Sequence, residues 1–241
     1  MAFIEKNRNL TIRDISPKTE ITNKAILTFF EDIAGMHSDI AGYGLANVEK
    51  SRISWVILDW KIKVLKRFKY TAESVNVVTW ARGVVHACCF RDFELYNSKG
   101  ELCAIGSSKW ALINIEKGLM KITDDIMNKF ESEEKSVFDN FQFKKLQEPE
   151  NYSSVYNYTV SRRDIDINVH MHNLYYLDLA YDSLPRDVFE KNSFDNVEIM
   201  YKKPAFLYDN LKCFYSQVEN EHIVTIKSED EKNLHAIIKL Y

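Results

Sequence analysis

Phe30-Glu31-Asp32-Ile33-Ala34 and Tyr176-Leu177-Asp178-Leu179-Ala180 lie 146 residues apart (30 to 176) and share one pattern. Each opens on an aromatic residue, carries Asp third and closes on a branched aliphatic residue and Ala. Outward from the first stretch, Ile26, Phe30, Ile33, His37 and Ile40 fall at steps of 4, 3, 4 and 3, one face of a helix over 22–42. Thr22 or Asn23 can cap its start, and Gly42 can end it. Outward from the second, Leu174, Leu177, Tyr181 and Leu184 mark a helix over 172–184 that Pro185 stops. A strand-like run precedes each helix, residues 2–13 in one case and Tyr152–Arg162 in the other. Strand-like runs also follow each helix. After the first they are Ser54–Lys63, Val75–Trp80, Val84–Tyr96 and Leu102–Ile115, the last two joined by the turn Asn97-Ser98-Lys99-Gly100. After the second they are 194–203, 211–219, 222–228 and 234–241. Strand, helix, four strands therefore occurs twice, which predicts an α+β chain built by duplication, each half too small for a large core of its own. Between the halves, Ile122–Phe130 reads as a short helix and Glu131-Ser-Glu-Glu-Lys135 to Pro149 as a connector. The expected layout is an N-terminal repeat over 1–130, a linker over 131–150 and a C-terminal repeat over 151–241.

Composition narrows the function classes. The 241 residues carry a formal net charge of −3, where a dedicated nucleic-acid-binding domain would be basic. A charge stands fifth in Met1-Ala-Phe-Ile-Glu-Lys, and no apolar run reaches the ~18 residues of a membrane span. The expectation is a soluble cytoplasmic protein with no nucleic-acid or membrane partner. Cys88, Cys89, Cys103 and Cys213 form no C-x-x-C pair, and they read as reduced strand residues.

The densest polar stretch is Arg162-Arg163-Asp164-Ile165-Asp166-Ile167-Asn168-Val169-His170-Met171-His172-Asn173, where the second half's first strand gives way to its helix. In an extended segment, Asp164, Asp166, Asn168 and His170 would share one side and Ile165, Ile167 and Val169 the other. The helix start would add unpaired N–H groups able to stabilise an oxyanion. Asn168 can donate to a substrate carbonyl, Asp166 can take a proton from water or attack directly, and His170 can carry a proton near neutral pH. These are the parts for hydrolysis of an activated acyl group. Against this stands ordinary capping and turn chemistry, the reading favoured for Asp164 and His172. No G-x-S-x-G is present, and His170 and His172 have no H-E-x-x-H or Cys pair to support a metal, so no metal site is expected.

The stretch Arg163-x-x-Asp166-x-Asn168-x-His170-x-x-Asn173 resembles the Asp-x-Asn-x-His-Val-Asn-Asn signature of the acyl-acyl-carrier-protein thioesterase family, and Leu174-Tyr175-Tyr176 resembles the helix start after it. In the first half, Thr79-Trp80, Phe90-Arg91-Asp92-Phe93 and Ser107-Ser108-Lys109-Trp110-Ala111-Leu112-Ile113-Asn114 resemble that family's paired strands, in the same order. The resemblance implies a tandem (double) hotdog fold, each repeat a long helix wrapped by an antiparallel sheet. It implies hydrolysis of fatty acyl thioesters on acyl carrier protein, releasing free fatty acid without metal or organic cofactor. Catalytic roles carry over to Asp166, Asn168 and His170. At the 146-residue spacing the first repeat offers Glu20, Thr22 and Lys24, so one active site per chain is expected. Two departures stand out. His172 replaces an Asn, and Tyr201-Lys202-Lys203-Pro204-Ala205 stands where plant members carry Tyr-Arg-Arg-Glu-Cys, so the acid of that motif is Pro204 here and Glu198 is a possible substitute. Lack of a plastid transit extension fits a bacterial cytoplasmic enzyme.

An acyl chain needs apolar walls. Trp55, Trp80 and Phe30 are the candidates, with Ile57, Phe29, Ile33, Phe90 and Phe93 near them in the pattern, although such strand and helix faces commonly form plain core. Acyl carrier proteins are acidic, so the basic run Lys61, Lys63, Lys66, Arg67, Lys69 and the group Arg162, Arg163, Lys202, Lys203 are candidate docking cations, although such runs are commonly solvated faces. Two other readings fit the same residues, an acyl-CoA thioesterase and a non-catalytic hotdog that binds acyl thioesters. Hotdog units pair, so monomer and homodimer are both open.

Overall fold

The computed structural model describes residues 2–70, 74–139 and 143–241, and its contacts divide the chain into two units, Met1–Phe143 and Lys144–Tyr241. Among the described residues no helix is long and apolar enough to cross a membrane. The first unit contains β1 (Phe3–Asn9), α1 (Asn23–Ile40), α2 (Leu45–Ser51), β2 (Ile53–Val64), β3 (Ser74–Val85), β4 (Cys88–Tyr96), β5 (Leu102–Asn114), the two-residue β6 (Gly118–Leu119) and α3 (Asp124–Asn128). Its strands pair antiparallel in the order β1-β3-β4-β5-β2, with β6 against the end of β5. The second unit contains β7 (Ser154–Thr159), α4 (Tyr175–Asp182), α5 (Arg186–Lys191), β8 (Asn196–Tyr201), β9 (Asn210–Val218), β10 (Glu221–Ser228) and β11 (Leu234–Leu240). Its order is β7-β9-β10-β11-β8, again antiparallel and the same topology as the first unit. Each unit is a hotdog, and the chain is α+β.

The duplication is real, but its register differs from the 146-residue spacing. Thr11 and Ser161 each form a capping box, with Asp14 and Asp164 respectively. Ile15 bridges Ile21, and Ile165 bridges Met171. Thr19 and Val169 stand at φ 63° and 64°. Every pair is 150 residues apart, and the burial pattern through Ile33-Ala34 and Ser183-Leu184 follows that spacing too. A slip of four residues turns a helix by only about 40° from a full revolution, so it leaves the apolar face almost unchanged. The first-unit counterparts of Asp166, Asn168 and His170 are therefore Ser16, Lys18 and Glu20, not Glu20, Thr22 and Lys24. The Asp-Asn-His set is absent there in either register.

Other boundaries moved for local reasons. Ala81-Arg82-Gly83, which separates two runs in the sequence, is an irregularity inside one long strand: the β3–β4 register shifts between Ala81 and Gly83, and the reversal comes at His86 (φ 57°). The helix in the first unit is capped as expected, by Thr22 Oγ1 accepting from Ala25 N at 3.0 Å, and Gly42 follows it at φ 82°. The start of the expected 131–150 linker is packed onto the first unit. Glu133 N donates to Ala81 O, Trp80 Nε1 to Lys135 O, and Val137 N to the fully buried carboxylate of Asp92. The break in contacts falls after Phe143.

In the first unit the helix is pressed close to its sheet. Phe30 is fully buried and stacks on Phe93 with centroids 4.8 Å apart, and a Cβ on Gly106 would stand 2.6 Å from the Phe30 ring, so only glycine lets β5 pass beneath it. The same core holds the buried guanidinium of Arg91, which donates to His37 Nδ1 at 3.0 Å and Thr79 Oγ1 at 3.2 Å and lies over the Phe130 ring. The imidazole must offer its lone pair at Nδ1 and stay neutral. Burial and the neighbouring Arg91 charge accordingly lower its pKa from 6.5 to about 4.

In the second unit two anchors place the loop between β7 and α4. The buried Asp164 carboxylate accepts from Ser161 N and Oγ at 2.7 and 2.8 Å and from Tyr158 Oη at 2.7 Å, while its carbonyl accepts from His172 N. Burial raises the Asp164 pKa, but these donors outweigh it and hold the group ionised below its ordinary range. On the opposite flank Tyr176 Oη accepts from Ala205 N at 3.0 Å, and Ala205 O accepts from Met171 N at 2.8 Å. Tyr176 thus ties the segment after β8 to the residue that follows His170.

Two stability outcomes follow. The unfolded chain protonates His37 near pH 6.5 and the folded chain near 4, so the unfolded state binds more protons between those values. Native stability, intact above pH 6.5, should fall by about 3 kcal/mol as pH drops to 4, and His37→Gln should flatten that part of the curve measured by urea unfolding. A wild-type-like slope in the variant would contradict the assignment. Tyr176→Phe should cost about 1–3 kcal/mol by leaving the buried Ala205 N–H without an acceptor, and an unchanged urea midpoint would show that the clamp carries no load.

Candidate active site

The expected extended arrangement of Asp164 to His170 does not form. Asp164 ends a 3-10 turn, and residues 166–170 make a tight loop closed by the Ile165–Met171 bridge. Asp166 N donates to His170 O and Val169 N to Asp166 O, both at 3.0 Å. Asn168 N donates to Asp166 Oδ1 at 2.8 Å, an Asx turn. Alternation fails because the Asp164 and Asp166 carboxylates compete with strand pairing for local N–H groups.

The loop nevertheless brings two members of the triplet together. His170 Nδ1 lies 3.6 Å from Asp166 Oδ1, in a pair whose side chains are 32% and 13% exposed. Among the described residues His170 Nδ1 is buried and makes no hydrogen bond, with the Asp166 oxygen just outside bonding distance. The reachable part of the ring is therefore on the Nε2 side. Asn168 occupies the exposed loop tip and is linked to Asp166 through its backbone N–H.

The oxyanion role expected of the helix start is largely taken up by protein acceptors. Met171 N donates to Ala205 O, His172 N to Asp164 O, Leu174 N to His172 Nδ1 and Tyr175 N to His172 O. His172 and Asp164 therefore do cap and close the loop, as the turn chemistry suggests. Glu198 lies on β8, where it accepts from Tyr241 Oη at 2.8 Å and pairs with Lys239.

Of the expected acyl walls, Phe30 and Trp80 are core residues. Phe30 packs on Phe93, and Trp80 donates its Nε1 to Lys135 O beneath the Lys135 ammonium. Trp55 is half-buried, edge-on to Phe130 at 5.8 Å, with a buried Nε1 that has no partner among the described residues. Several of the cations expected to dock a carrier are engaged locally: Lys66 with Glu101, Arg67 with Ile21 O and Asn23 Oδ1, Lys203 with Asn233, and Arg163 with Asp164. An open cleft of roughly 660 Å³ lies beside the Ala205 segment, lined by Lys203, Pro204, Phe206, Asp209 and His235 and by the Ser228–Asp230 turn. Tyr176 was legible only as an aromatic helix residue, because its partner Ala205 is 29 positions away in sequence. Among the described residues no cluster of His, Cys, Asp or Glu is arranged to hold a metal ion.

Comparison with known proteins gives this geometry its family. Residues 3–130 match the acyl-ACP thioesterase N-terminal domain and residues 147–239 the acyl-ACP thioesterase C-terminal domain. Oleoyl-acyl carrier protein thioesterase 1 of Arabidopsis thaliana is 23% identical over 210 residues, 79% of this chain and 57% of its own. The palmitoyl-acyl carrier protein thioesterase of Cuphea hookeriana is 26% identical over 179 residues, 71% of this chain and 42% of its own. The chain thus spans about half the length of the curated relatives it matches. Among solved structures, the 12:0-ACP thioesterase from Umbellularia californica superposes with a TM-score of 0.86 at 16% identity, covering 99% of this chain and 96% of the other. An acyl-ACP thioesterase from Bacteroides thetaiotaomicron gives 0.82 at 20% identity, covering 100% and 96%. These structures share the tandem hotdog fold, and with both family domains matched in order along it, this chain belongs to the acyl-ACP thioesterase family.

Proposed function

We propose that this protein hydrolyses the thioester of fatty acyl-acyl carrier protein, releasing free fatty acid and ending chain elongation. The observation that carries the reading is the Asp166–His170 pair, held 3.6 Å apart on a loop closed at both ends, in a chain of this family. In the working geometry His170 turns Nδ1–H toward the Asp166 carboxylate and leaves Nε2 as the base. Nε2 takes a proton from water, the water oxygen attacks the thioester carbonyl carbon, and Asn168 at the loop tip donates its amide to the carbonyl oxygen. Collapse of the tetrahedral intermediate breaks the C–S bond, and the imidazolium returns its proton to the departing thiolate. Asp166 keeps the imidazole in the required tautomer and balances its charge. This chemistry uses no metal or organic cofactor. Trp55, half-buried, is the proposed acyl contact, with Phe30 and Trp80 shaping the wall from the core. The reading places the enzyme in the cytoplasm, as a monomer or a homodimer.

Asp166→Asn and His170→Ala should each lower kcat on an acyl-acyl-carrier-protein panel by about 10²-fold or more, with near-native folding by circular dichroism. Full activity in both would refute the mechanism. In a single turnover in ¹⁸O-labelled water, label should enter the fatty acid and not the Asp166 side chain. Label in Asp166 would instead establish a mixed anhydride formed by direct carboxylate attack.

A further inference from the structure

Five large apolar side chains stand exposed around the Asp166–His170 loop. Ile167 and Val169 at its tip are 72% and 70% exposed, and Phe206, Leu207 and Tyr208 on the neighbouring turn are 52%, 37% and 60% exposed. The two turns are joined, since Met171 N donates to Ala205 O, Tyr208 N to Val160 O, and Arg162 Nε to Tyr208 Oη at 3.3 Å. At the loop tip, folding does not require Ile167 and Val169. The first unit builds the same loop, with the same bridge and the same positive φ at its fourth position, from Ser16-Pro17-Lys18-Thr19-Glu20. Where that copy has Pro17 and Thr19, the loop carrying the acid–imidazole pair has Ile167 and Val169. Apolar side chains that neither pack inward nor shape the backbone are the usual mark of a covered surface.

Charge indicates what covers it. Arg162 touches the patch through Tyr208, and Lys202, also exposed, lies three residues before Ala205. The nearest acid on the turn, Asp209, is half-buried and spends its Oδ2 on Phe206 N at 2.8 Å. Lys203 turns instead toward the β10–β11 end, where it bonds Asn233 in the cleft that also holds Glu229 and Asp230. Arg162 thus lies against the apolar patch, exposed Lys202 stands beside it in sequence, and the acids Glu229 and Asp230 lie beyond Lys203 in the cleft.

We propose that this patch is the docking surface for the carrier itself. An acidic amphipathic helix of the acyl carrier protein would lay its apolar side on Ile167, Val169, Phe206 and Leu207, set its acids against Arg162 and Lys202, and thereby deliver the thioester to the loop it touches. This rests on the carrier-bound substrate proposed above, and it adds where the carrier sits and which side chains hold it.

The test measures binding and turnover separately. Acyl carrier protein bearing a decanoyl group through a non-hydrolysable amide is titrated by calorimetry against the native protein, the double variant Phe206→Ser/Leu207→Ser, and Arg162→Glu. Hydrolysis is followed with the decanoyl thioester of the carrier and with the carrier-free decanoyl thioester of N-acetylcysteamine. Both variants should bind carrier at least tenfold more weakly and show a raised KM for it, with kcat/KM on the carrier-free thioester within twofold of native. Unchanged carrier affinity would overturn the proposal, as would an equal loss on both substrates. So would variants that keep carrier affinity but lose binding to anionic phospholipid vesicles or lose self-association in light scattering, since membrane or a second copy would then be the occupant. Carrier binding through the patch without hydrolysis of either thioester would sink the catalytic reading and leave the docking surface standing. Hydrolysis with native carrier affinity in both variants would do the reverse.

Discussion

A buried carboxylate with several donors trained on it governs the geometry of the second unit. Asp164 is almost wholly out of water, a placement that would cost several kcal/mol for a lone ionised group. Ser161 and Tyr158 supply the hydrogen bonds that make it tolerable, and in doing so they fix where β7 ends and where the chain reverses. The carbonyl of the same residue takes His172 N, so one residue closes the loop at both ends. Asp166 and His170 inherit their separation from that closure. The pair is set by backbone bonds around it and needs no strong mutual hydrogen bond to stay together.

The first unit makes the point by contrast. Asp14 and Thr11 repeat the capping box with matching distances, and Ile15–Ile21 repeats the bridge, yet Ser16, Lys18 and Glu20 provide no acid–imidazole pair. Its distinctive chemistry lies in the core instead, where Arg91 is satisfied by a neutral imidazole and a hydroxyl without a carboxylate. Such an arrangement tolerates burial of the guanidinium only while His37 keeps its lone pair free.

Much of this was legible in the residues. Helix periodicity gave α1 and the position of α4, although α4 runs only over Tyr175–Asp182 inside the expected 172–184, and strand alternation with the Asn97–Gly100 turn gave the sheets, because burial on one face writes a period into sequence. The triplet was found because its residue types and order carry chemistry. Its shape was not, since Asx-turn bonding at Asp166 overrides the alternation that an extended strand would impose. The repeat register slipped by one helical turn for the reason that makes helices recognisable, namely that positions four apart look alike. Short elements such as α2 and α5, at seven and six residues, carry too few turns to show a period. Long-range ties such as Tyr176 to Ala205 leave no local trace.

Because the same loop backbone is built twice from unlike side chains, the scaffold separates shape from reactivity. The turn with positive φ at Thr19 and Val169 survives Pro or Ile, Lys or Asn, Glu or His at its other positions. Substitution within it therefore explores new chemistry on a pre-paid frame, and a duplicated ancestor could silence one copy, or specialise the other, without any episode of refolding.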